Sequence, residues 1–546
     1  MRDRLVPADG VGFQGWFADF DTTLWSGVLR MAEAMIAAAP FLVAGVFAAG
    51  ILRGMVGADR TRRILGVGHS TGPLRAWALG VLLPVCSLGA LPMARELRRA
   101  GVPSGTVLSF VLVAPVLNPV SIIYGLSHIA PITLLYFALG TFVVSVGIGL
   151  IWNRVISDVR DPQPERLESA PRSGLARLAV AGDTAARALV GPVFVDYGLA
   201  LLAVGLLGAF LPHGVLQTGM TRDNPFAPLV MGLVAIPVYV TPTDVMMHFG
   251  HIVQDGYSLG AAFALIVLGA GANVGVANWL RRDYGAKPLL LFVSLLIGST
   301  LVIGLTADRT IIYGNSTMED HTHAFDPFTR LSTVAGHSAN FRWVWFQVKK
   351  DMRVDEMYGL GMLAAIVLSG IVLRLLGDRV GVDHLLSPVN APAAQPNRTP
   401  AWNPALSSRQ LVAAGVVCAL GLATVGLYLF YPSPDNLIEE MNTIRVDAYD
   451  ALREENAVET RRRLAQWRDQ AEKLPTSVLI RRGTVSAAQR DAVDEVLYSL
   501  DMLESFVDAG QFHEANTVIF FVEKTYHDCR YEYLNLSENQ SSSVSL

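Results

Sequence analysis

The sequence predicts an all-α polytopic membrane protein that ends in a soluble helical bundle. Three observations support this fold class. Hydrophobic residues make up 52% of the 546 residues and charged residues only 16%, against the roughly 25% charged residues of soluble domains. Apolar runs of about 20 residues, long enough for a helix to cross a bilayer, recur along the chain. After residue 432 the apolar residues return at helical spacing in an otherwise polar sequence.

The elements follow one another in a clear order. The N-terminal segment 1–29 lacks the basic stretch and apolar core of a signal peptide. Ten apolar segments follow, at 30–55, 74–94, 104–126, 131–153, 187–212, 226–250, 258–281, 286–306, 357–377 and 409–431. Three scattered cysteines do not make a disulfide framework, and a net charge of −4 gives no indication of a nucleic-acid partner.

The first eight apolar segments contain a repeat. "GVPSGTVLSFVLVAPVLNPVSII" and "GYSLGAAFALIVLGAGANVGVAN" share Gly, Gly and Asn at 101, 105 and 118 and again at 256, 260 and 273, an offset of 155. Just upstream, "PVCSLGALP" pairs with "PVYVTPTDV" after a slip of two residues. Glycine-rich membrane helices can resemble each other by composition alone, but the constant offset favours a true repeat. Repeated halves are typical of transporters.

Basic residues indicate how the two copies lie in the membrane. Both flanks of 74–94 are rich in arginine, whereas the flanks of 226–250 hold only Arg222. By the positive-inside rule, 74–94 enters from the cytoplasm and returns, and 226–250 enters from outside and returns. Each copy then has three transmembrane helices and one re-entrant broken-helix hairpin. The odd number of crossings makes the two repeats inverted.

This topology predicts the domain organisation. Repeat 1 covers 30–153, a cytoplasmic loop covers 154–186, and repeat 2 covers 187–306. Two further transmembrane helices lie in 357–431, joined by a Pro-rich cytoplasmic linker. The linker covers 378–408. The remaining parts are expected to be extracytoplasmic, namely the N-terminal segment 1–29, an insert at 307–356 and a helical domain at 432–546.

The insert ends in "FRWVWFQVKK", whose aromatic and basic residues favour an amphipathic helix at the membrane surface.

A hairpin inside the membrane must break its helix, and the freed backbone groups must be buried in protein or line a cavity. The residues expected to make the two breaks are Pro84, Gly89 and Pro92, and Pro237 and Pro242. Polar residues at the breaks and in the helices that follow would meet near the midplane. The predicted cargo-binding residues are therefore Cys86, Ser87, Asn118, Tyr239, Thr241, Thr243 and Asn273.

Asp244 is the most informative single residue, since a carboxylate at membrane depth is costly and usually functional. It is predicted to carry a coupling proton or to bind a cation, and the alternative is a capping role at the start of the next helix. Asn118 and Asn273 could equally satisfy backbone groups freed by the breaks.

Met247, His248 and His251 follow the second break and suit soft metals, although methionine is also a common filler of membrane helices.

The stretch "PVCSLGALPMARELRRAGVPSGTVLSFVLVAPVLNPVSII", together with "PVYVTP" and "GYSLGAAFALIVLGAGANVG", resembles a family of permeases that includes organoarsenical efflux permeases and related metal-efflux permeases. The resemblance covers about residues 30–306. It implies export of a small metal- or metalloid-related solute.

The sequence departs from the family pattern at one position. The family often has Cys-Ser-Cys at the first break. Here Leu88 replaces the second cysteine, which puts thiol-based recognition of trivalent arsenic in doubt.

The functional prediction is a secondary-active, proton-coupled exporter in the bacterial cytoplasmic (inner) membrane. Its partners would be the lipid bilayer and a small solute, with no cofactor and no nucleic acid. The sequence has no phosphate-binding loop of the Walker A type and no hydrolase or redox motif, so an enzyme is not expected. The alternative is a membrane assembly subunit that docks a protein partner, or a second copy of the chain, through 432–546.

Overall fold

The computed structural model describes residues 13–156, 175–310, 341–380 and 431–541, except 68, 130, 212–214 and 238. It also describes 325, 328, 329 and scattered positions between 407 and 424. Most of the linker 378–408, of the insert and of the segment 409–431 therefore lies outside the described residues.

The described chain is helical, without a strand among these residues. The first repeat contains α1 (Phe13–Ile51), α2 (Ala58–Ile64), α3 (Gly72–Val81), α4 (Ser87–Arg99), α5 (Ser104–Val113), α6 (Pro119–His128) and α7 (Pro131–Val155). After α8 (Leu175–Ala188), the second contains α9 (Pro192–Phe210), α10 (Val215–Gly219), α11 (Ala227–Ala235), α12 (Pro242–Gln254), α13 (Leu259–Ala264), α14 (Val274–Tyr284) and α15 (Ala286–Thr310). Short π-helical stretches, Leu52–Val56 and Leu265–Ala270, extend α1 and α13.

Five helices are long and apolar enough to cross a membrane among the described residues. They are Thr23–Val56, Ile132–Val155, Pro192–Phe210, Ala286–Thr310 and Val354–Leu375. A sixth span results if Leu259–Ala270 and Val274–Tyr284, which are bent by 52°, count as one. The chain is therefore a multi-pass membrane protein, as predicted.

The two halves have the same helix pattern at an offset of 155 residues. Helices α4, α5 and α7 recur at this offset as α12, α13 with its π-helical extension, and α15. A contact recurs as well: the Gly105 amide donates to Asn153 Oδ1 at 2.8 Å, and the Gly260 amide donates to Asp308 Oδ1 at 2.9 Å. The helix that follows each hairpin is thus fixed to the last helix of its own half in the same way.

The chain reverses direction at both breaks. In the first half, Gly72 lies beside Thr106 and Gly80 lies beside Val113, so α3 and α5 run parallel. Helix α4 must therefore return the chain between them. In the second half, Gly260 lies beside Pro228 and Gly269 beside Ala235, and α12 returns in the same manner.

Corresponding helices of the two halves run in opposite directions where they touch. The Tyr136 hydroxyl donates to the Ile303 carbonyl, while Trp152, further along α7, packs against Phe292, earlier in α15. Helices α1 and α9 cross the same way, because Ser26 Oγ donates to the Gly208 carbonyl and Tyr197 donates to the Met35 carbonyl.

Two helices beyond the repeats complete this part of the chain, namely α16 (Phe341–Asp351) and α17 (Val354–Val380). Helix α16 contains the "FRWVWFQVKK" stretch. Its Val344 and Val348 form a buried cluster with Leu29 and Ile36 of α1, while Trp345 and Phe346 are exposed.

The C-terminal residues form a separate unit of four packed helices. These are α18 (Pro434–Arg453), α19 (Ala457–Arg482), α20 (Ala487–Asp508) and α21 (Phe512–Ser541). Each contributes to one buried apolar core, with Leu437, Trp467, Leu500 and Val522 among its members. Capping side chains start three of the helices, for example Ser486 on α20. On which side of the membrane this unit lies stays a prediction.

Candidate functional site

The first break lies between α3 and α4. Cys86 has extended backbone dihedrals and caps α4, its Sγ accepting the Gly89 amide at 3.3 Å. Pro84 lies in the break. Gly89 and Pro92, expected there, lie instead inside α4. Gly89 serves close packing, because a Cβ at this position would come within 2.7 Å of the Phe41 carbonyl oxygen of α1.

The second break is built on the same plan. Thr241 caps α12, and its hydroxyl accepts the Asp244 amide at 3.2 Å. Thr241 stands 155 residues after Cys86, so the two caps correspond without the slip that the Pro-Val pairs suggested. Pro237 lies in the break and Pro242 is the first residue of α12, where its fixed φ suits a helix start.

The two breaks meet. The Tyr239 hydroxyl from the second break lies next to the Cys86 thiol from the first. Asn273 Nδ2 donates to Ser87 Oγ at 2.7 Å. Cys86, Ser87 and Asn273 are fully or almost fully buried. The two halves are therefore joined by polar contacts at the centre of the fold.

Asn118 and Asn273 cap helices rather than lying inside them. Asn118 Oδ1 accepts the Ser121 amide at 2.9 Å, and Asn273 Oδ1 accepts the Gly275 amide at 3.0 Å. The apolar segments 104–126 and 258–281, expected as continuous helices, are interrupted at these residues. In the first case Pro119 follows Asn118 and disfavours helical backbone there. Both asparagines satisfy backbone groups freed by these interruptions.

A cavity of about 410 Å³ opens beside the second break. Tyr239, Thr241 and Asp244 line it from the break and from the first turn of α12. Helices α1 and α9 and the α16–α17 junction supply other walls. Of the predicted cargo-binding residues, Tyr239 and Thr241 face this cavity. Cys86, Ser87, Asn118, Thr243 and Asn273 do not line it.

Asp244 is bound by a hydroxyl and faces charged groups across the cavity. Thr241 Oγ1 donates to Asp244 Oδ2 at 2.5 Å. The charged groups around it are Arg353, Glu356 and Glu33. Arg353 and Glu356 form an ion pair at 2.9 Å, as do Arg30 and Glu33. Asp244 thus both helps to start α12 and faces the cavity, so the two interpretations of this residue are compatible.

Two of the three predicted metal ligands reach the cavity. Met247 and His248 line it, and the His248 ring packs edge-on against Phe328. His251 lies further along α12 and is not among the lining residues. Within the described ranges, no group of three His, Cys, Asp or Glu side chains is placed to hold a metal ion together.

A second charged cluster, the Asp196 cluster, lies elsewhere in the same fold. Asp196 on α9 is fully buried and accepts from both terminal nitrogens of Arg282, at 3.0 and 3.1 Å, and from Asn278 at 2.7 Å. Arg95 lies 3.9 Å from it, and Arg98 pairs with Asp283 at 2.9 Å. The cluster joins the C-terminal ends of α4 and α14 to the beginning of α9.

The cavity and the Asp196 cluster are separated along α9. Val204 lines the cavity two turns after Asp196, roughly 12 Å further along at the helical rise. No sequence pattern indicated the Asp196 cluster, nor Arg30, Glu33, Arg353 and Glu356 of the cavity. Asp196 carried a usable signal, since it is an acidic residue within an apolar segment.

Comparison with known proteins agrees with the membrane architecture. Residues 25–308 match the family model described as "predicted permease". UPF0718 protein YcgR of Bacillus subtilis (strain 168) is 25% identical over 283 residues, which cover 50% of this chain and 94% of that protein. No solved structure matches the chain.

Proposed function

The chain belongs to the predicted permease family, and from this premise we propose that it is a secondary-active exporter of a small metal- or metalloid-related solute. Transport is coupled to protons through Asp244. The protein works in the bacterial cytoplasmic membrane, with its C-terminal helical domain outside.

The observation that carries the proposal is the cavity beside the second break. A cavity of about 410 Å³ suits a small solute. It is lined by a carboxylate, Asp244, at the start of a half-helix. Broken helices whose ends face a central site are the usual way in which transporters bind ions and small solutes.

The inverted-repeat arrangement supports the same mechanism. The equivalent contacts of Gly105 and Gly260, and the opposite directions of α7 and α15, are expected of two inverted copies. In such a protein, alternating access follows when one half rocks against the other around a fixed site. Cys86 and Tyr239 lie where the halves meet, so their contact is expected to change during the cycle.

The test is a tolerance and flux assay with matched variants. Cells with and without the gene are challenged with arsenite, a trivalent organoarsenical, copper and zinc. The intact gene is expected to raise tolerance to at least one compound. With that compound, everted membrane vesicles should show proton movement that Asp244→Asn abolishes and Cys86→Ala reduces.

The control is Asp223→Asn, the same chemical change at an exposed position outside the cavity, which should transport normally. Equal tolerance to all compounds would contradict export of a metal or metalloid. Unchanged proton flux in Asp244→Asn would contradict coupling through this residue. Unchanged transport together with a stoichiometric co-purifying partner would favour an assembly subunit instead.

A further inference from the structure

Part of the cavity wall comes from outside the family match. That match ends at residue 308, yet Phe328, Val348, Met352, Arg353 and Glu356 all line the cavity. The segment from α16 to the first turn of α17, residues 341–356, therefore supplies cavity side chains from outside the matched region. Two of them, Arg353 and Glu356, are charged.

This segment is held firmly against α1. Val344 and Val348 are buried against Leu29 and Ile36. On α17, a Cβ at Gly359 would come within 2.7 Å of the Pro40 backbone nitrogen, so the two helices touch closely. The position of Arg353 between α16 and α17 is thus set by packing on both sides.

Local hydrogen bonds then orient the Arg353 side chain. The Arg353 amide donates to Glu356 Oε2 at 2.9 Å, while the guanidinium pairs with Glu356 Oε1 at 2.9 Å. The guanidinium also donates to the Tyr124 hydroxyl of α6 at 3.4 Å. Arg353 therefore links the added segment to the repeat core at the edge of the cavity.

The charges of the cavity do not cancel. Each arginine has an acidic partner in the cavity, Arg30 with Glu33 and Arg353 with Glu356, and Arg353 also lies 3.7 Å from the exposed Asp355. Asp244 is the remaining carboxylate, and among the described residues it makes no ion pair of its own. Arg353 lines the same cavity and lies within electrostatic range of Asp244. Inside a protein such charges interact several times more strongly than in water.

This inference rests on the proposed function. We propose that Arg353 is a specificity-determining residue of the cargo site: its guanidinium balances the Asp244 carboxylate across the cavity when no cargo is bound. A cation, or a proton carried with a neutral solute, must take over that role when it binds. The positive charge of Arg353 then limits how strongly the cavity prefers positively charged cargo. The ion pair with Glu356 determines how much of that positive charge is neutralised.

The electrostatics of the cavity can be measured without knowing the cargo. Met247 faces the cavity, so a thiol introduced by Met247→Cys reports on it. The purified full-length protein in detergent is reacted with two methanethiosulfonate probes, the cationic trimethylammonium-ethyl and the anionic sulfonatoethyl reagent. The measured quantity is the ratio of the two modification rates, after subtraction of the rates for the chain without Met247→Cys.

We expect Arg353→Gln to raise the cation-to-anion ratio by about tenfold, because a positive charge is lost beside Asp244. Glu356→Gln should lower the ratio, since it leaves Arg353 less neutralised. Arg353→Lys keeps the charge and should stay close to the parent. Adding Asp244→Asn to Arg353→Gln should return the ratio toward the parent value. Arg342→Gln, on the exposed face of α16, should change nothing.

An unchanged ratio in both Arg353→Gln and Glu356→Gln would overturn the proposal, and so would an equal rise in Arg342→Gln. The opposite directions expected for the two cavity variants guard against a general loss of folding, which would move both ratios the same way. The assay needs no transport. It can therefore succeed where the tolerance assay fails, and a failure of the proposed export function is distinguished from a failure of this inference.

Discussion

Asp196 is a fully buried carboxylate and Asp244 a half-buried one in the same fold, and they are bound in opposite ways. Asp196 is fully buried and receives hydrogen bonds from Arg282 and Asn278, with Arg95 nearby. Among the residues that the structure describes, Asp244 receives one side-chain hydrogen bond, from Thr241, and it faces a cavity. A carboxylate whose acceptor positions are filled by fixed partners stabilises one arrangement of helices. A carboxylate with free acceptor positions can exchange partners, which is what binding and proton transfer require.

The same substitution, Asp to Asn, is expected to change the free energy of unfolding much more at Asp196 than at Asp244. Asp196→Asn should lower the free energy of unfolding by about 3 kcal/mol, because it removes the buried carboxylate that neutralises Arg282 and Arg95. Asp244→Asn should change it by less than about 1 kcal/mol. Thermal unfolding in detergent measures both. Equal losses at the two sites would remove the distinction between them.

The packing around Asp196 provides a second, smaller effect. A Cβ at Gly275 would lie 2.5 Å from the Asp196 carbonyl oxygen and 2.7 Å from a Leu88 methyl group, so Gly275→Ala should cost about 2 kcal/mol of stability. Gly198→Ala, on the same helix as Asp196 but with no atom within 4 Å of the added Cβ, should be neutral. A tolerated Gly275→Ala would mean that this end of the fold can adjust.

A capping residue, Thr241, allows a further test of the role of the cavity. Thr241→Ala removes the cap of α12 and the hydrogen bond to Asp244, and should cost about 1 kcal/mol of stability while strongly reducing transport. Ser258→Ala removes a similar cap from α13, away from the cavity, and should cost as much stability but keep transport. Equal transport in the two variants would show that Thr241 only starts a helix.

The smallest effect is expected in the C-terminal unit, where a thiol is buried in the apolar core. Burial raises the pKa of the Cys529 thiol to about 12 from 9.0, so N-ethylmaleimide at pH 8 should leave Cys529 essentially unmodified in a Cys418→Ser background. Because the folded state keeps this thiol protonated, the stability of the unit should fall as pH rises above 9. Rapid labelling in the folded protein would contradict this burial.

The repeat could be found in the sequence because its signals are local. Gly105 and Gly260 lie at close helix contacts, where a Cβ would come within 2.2 and 2.5 Å of atoms of the last helix of each half. The prolines of the breaks are equally visible, since they cannot continue a helix. Asp244 was identified by its depth in an apolar segment.

The other charged residues of the cavity could not be identified in this way. Arg353 and Glu356 lie in a polar stretch that reads as an extramembrane insert, and only the packing of α16 and α17 on α1 brings them to Asp244. Arg30 and Glu33 lie at the beginning of an apolar segment, where charges are expected at the interface. Their partners are distant in sequence or across a cavity, and no periodicity encodes such neighbours.

The scaffold repeats, but its charges do not. At the offset of 155, Asp196 corresponds to Phe41, Arg282 to Ser127, and Asp244 to Gly89. Two conformations that exchange the roles of the halves would therefore differ in energy even without a solute or a membrane potential. If the halves alternate as proposed, the ionic contacts that only one half can make would favour one resting state, and each cycle would have to include a step that restores it.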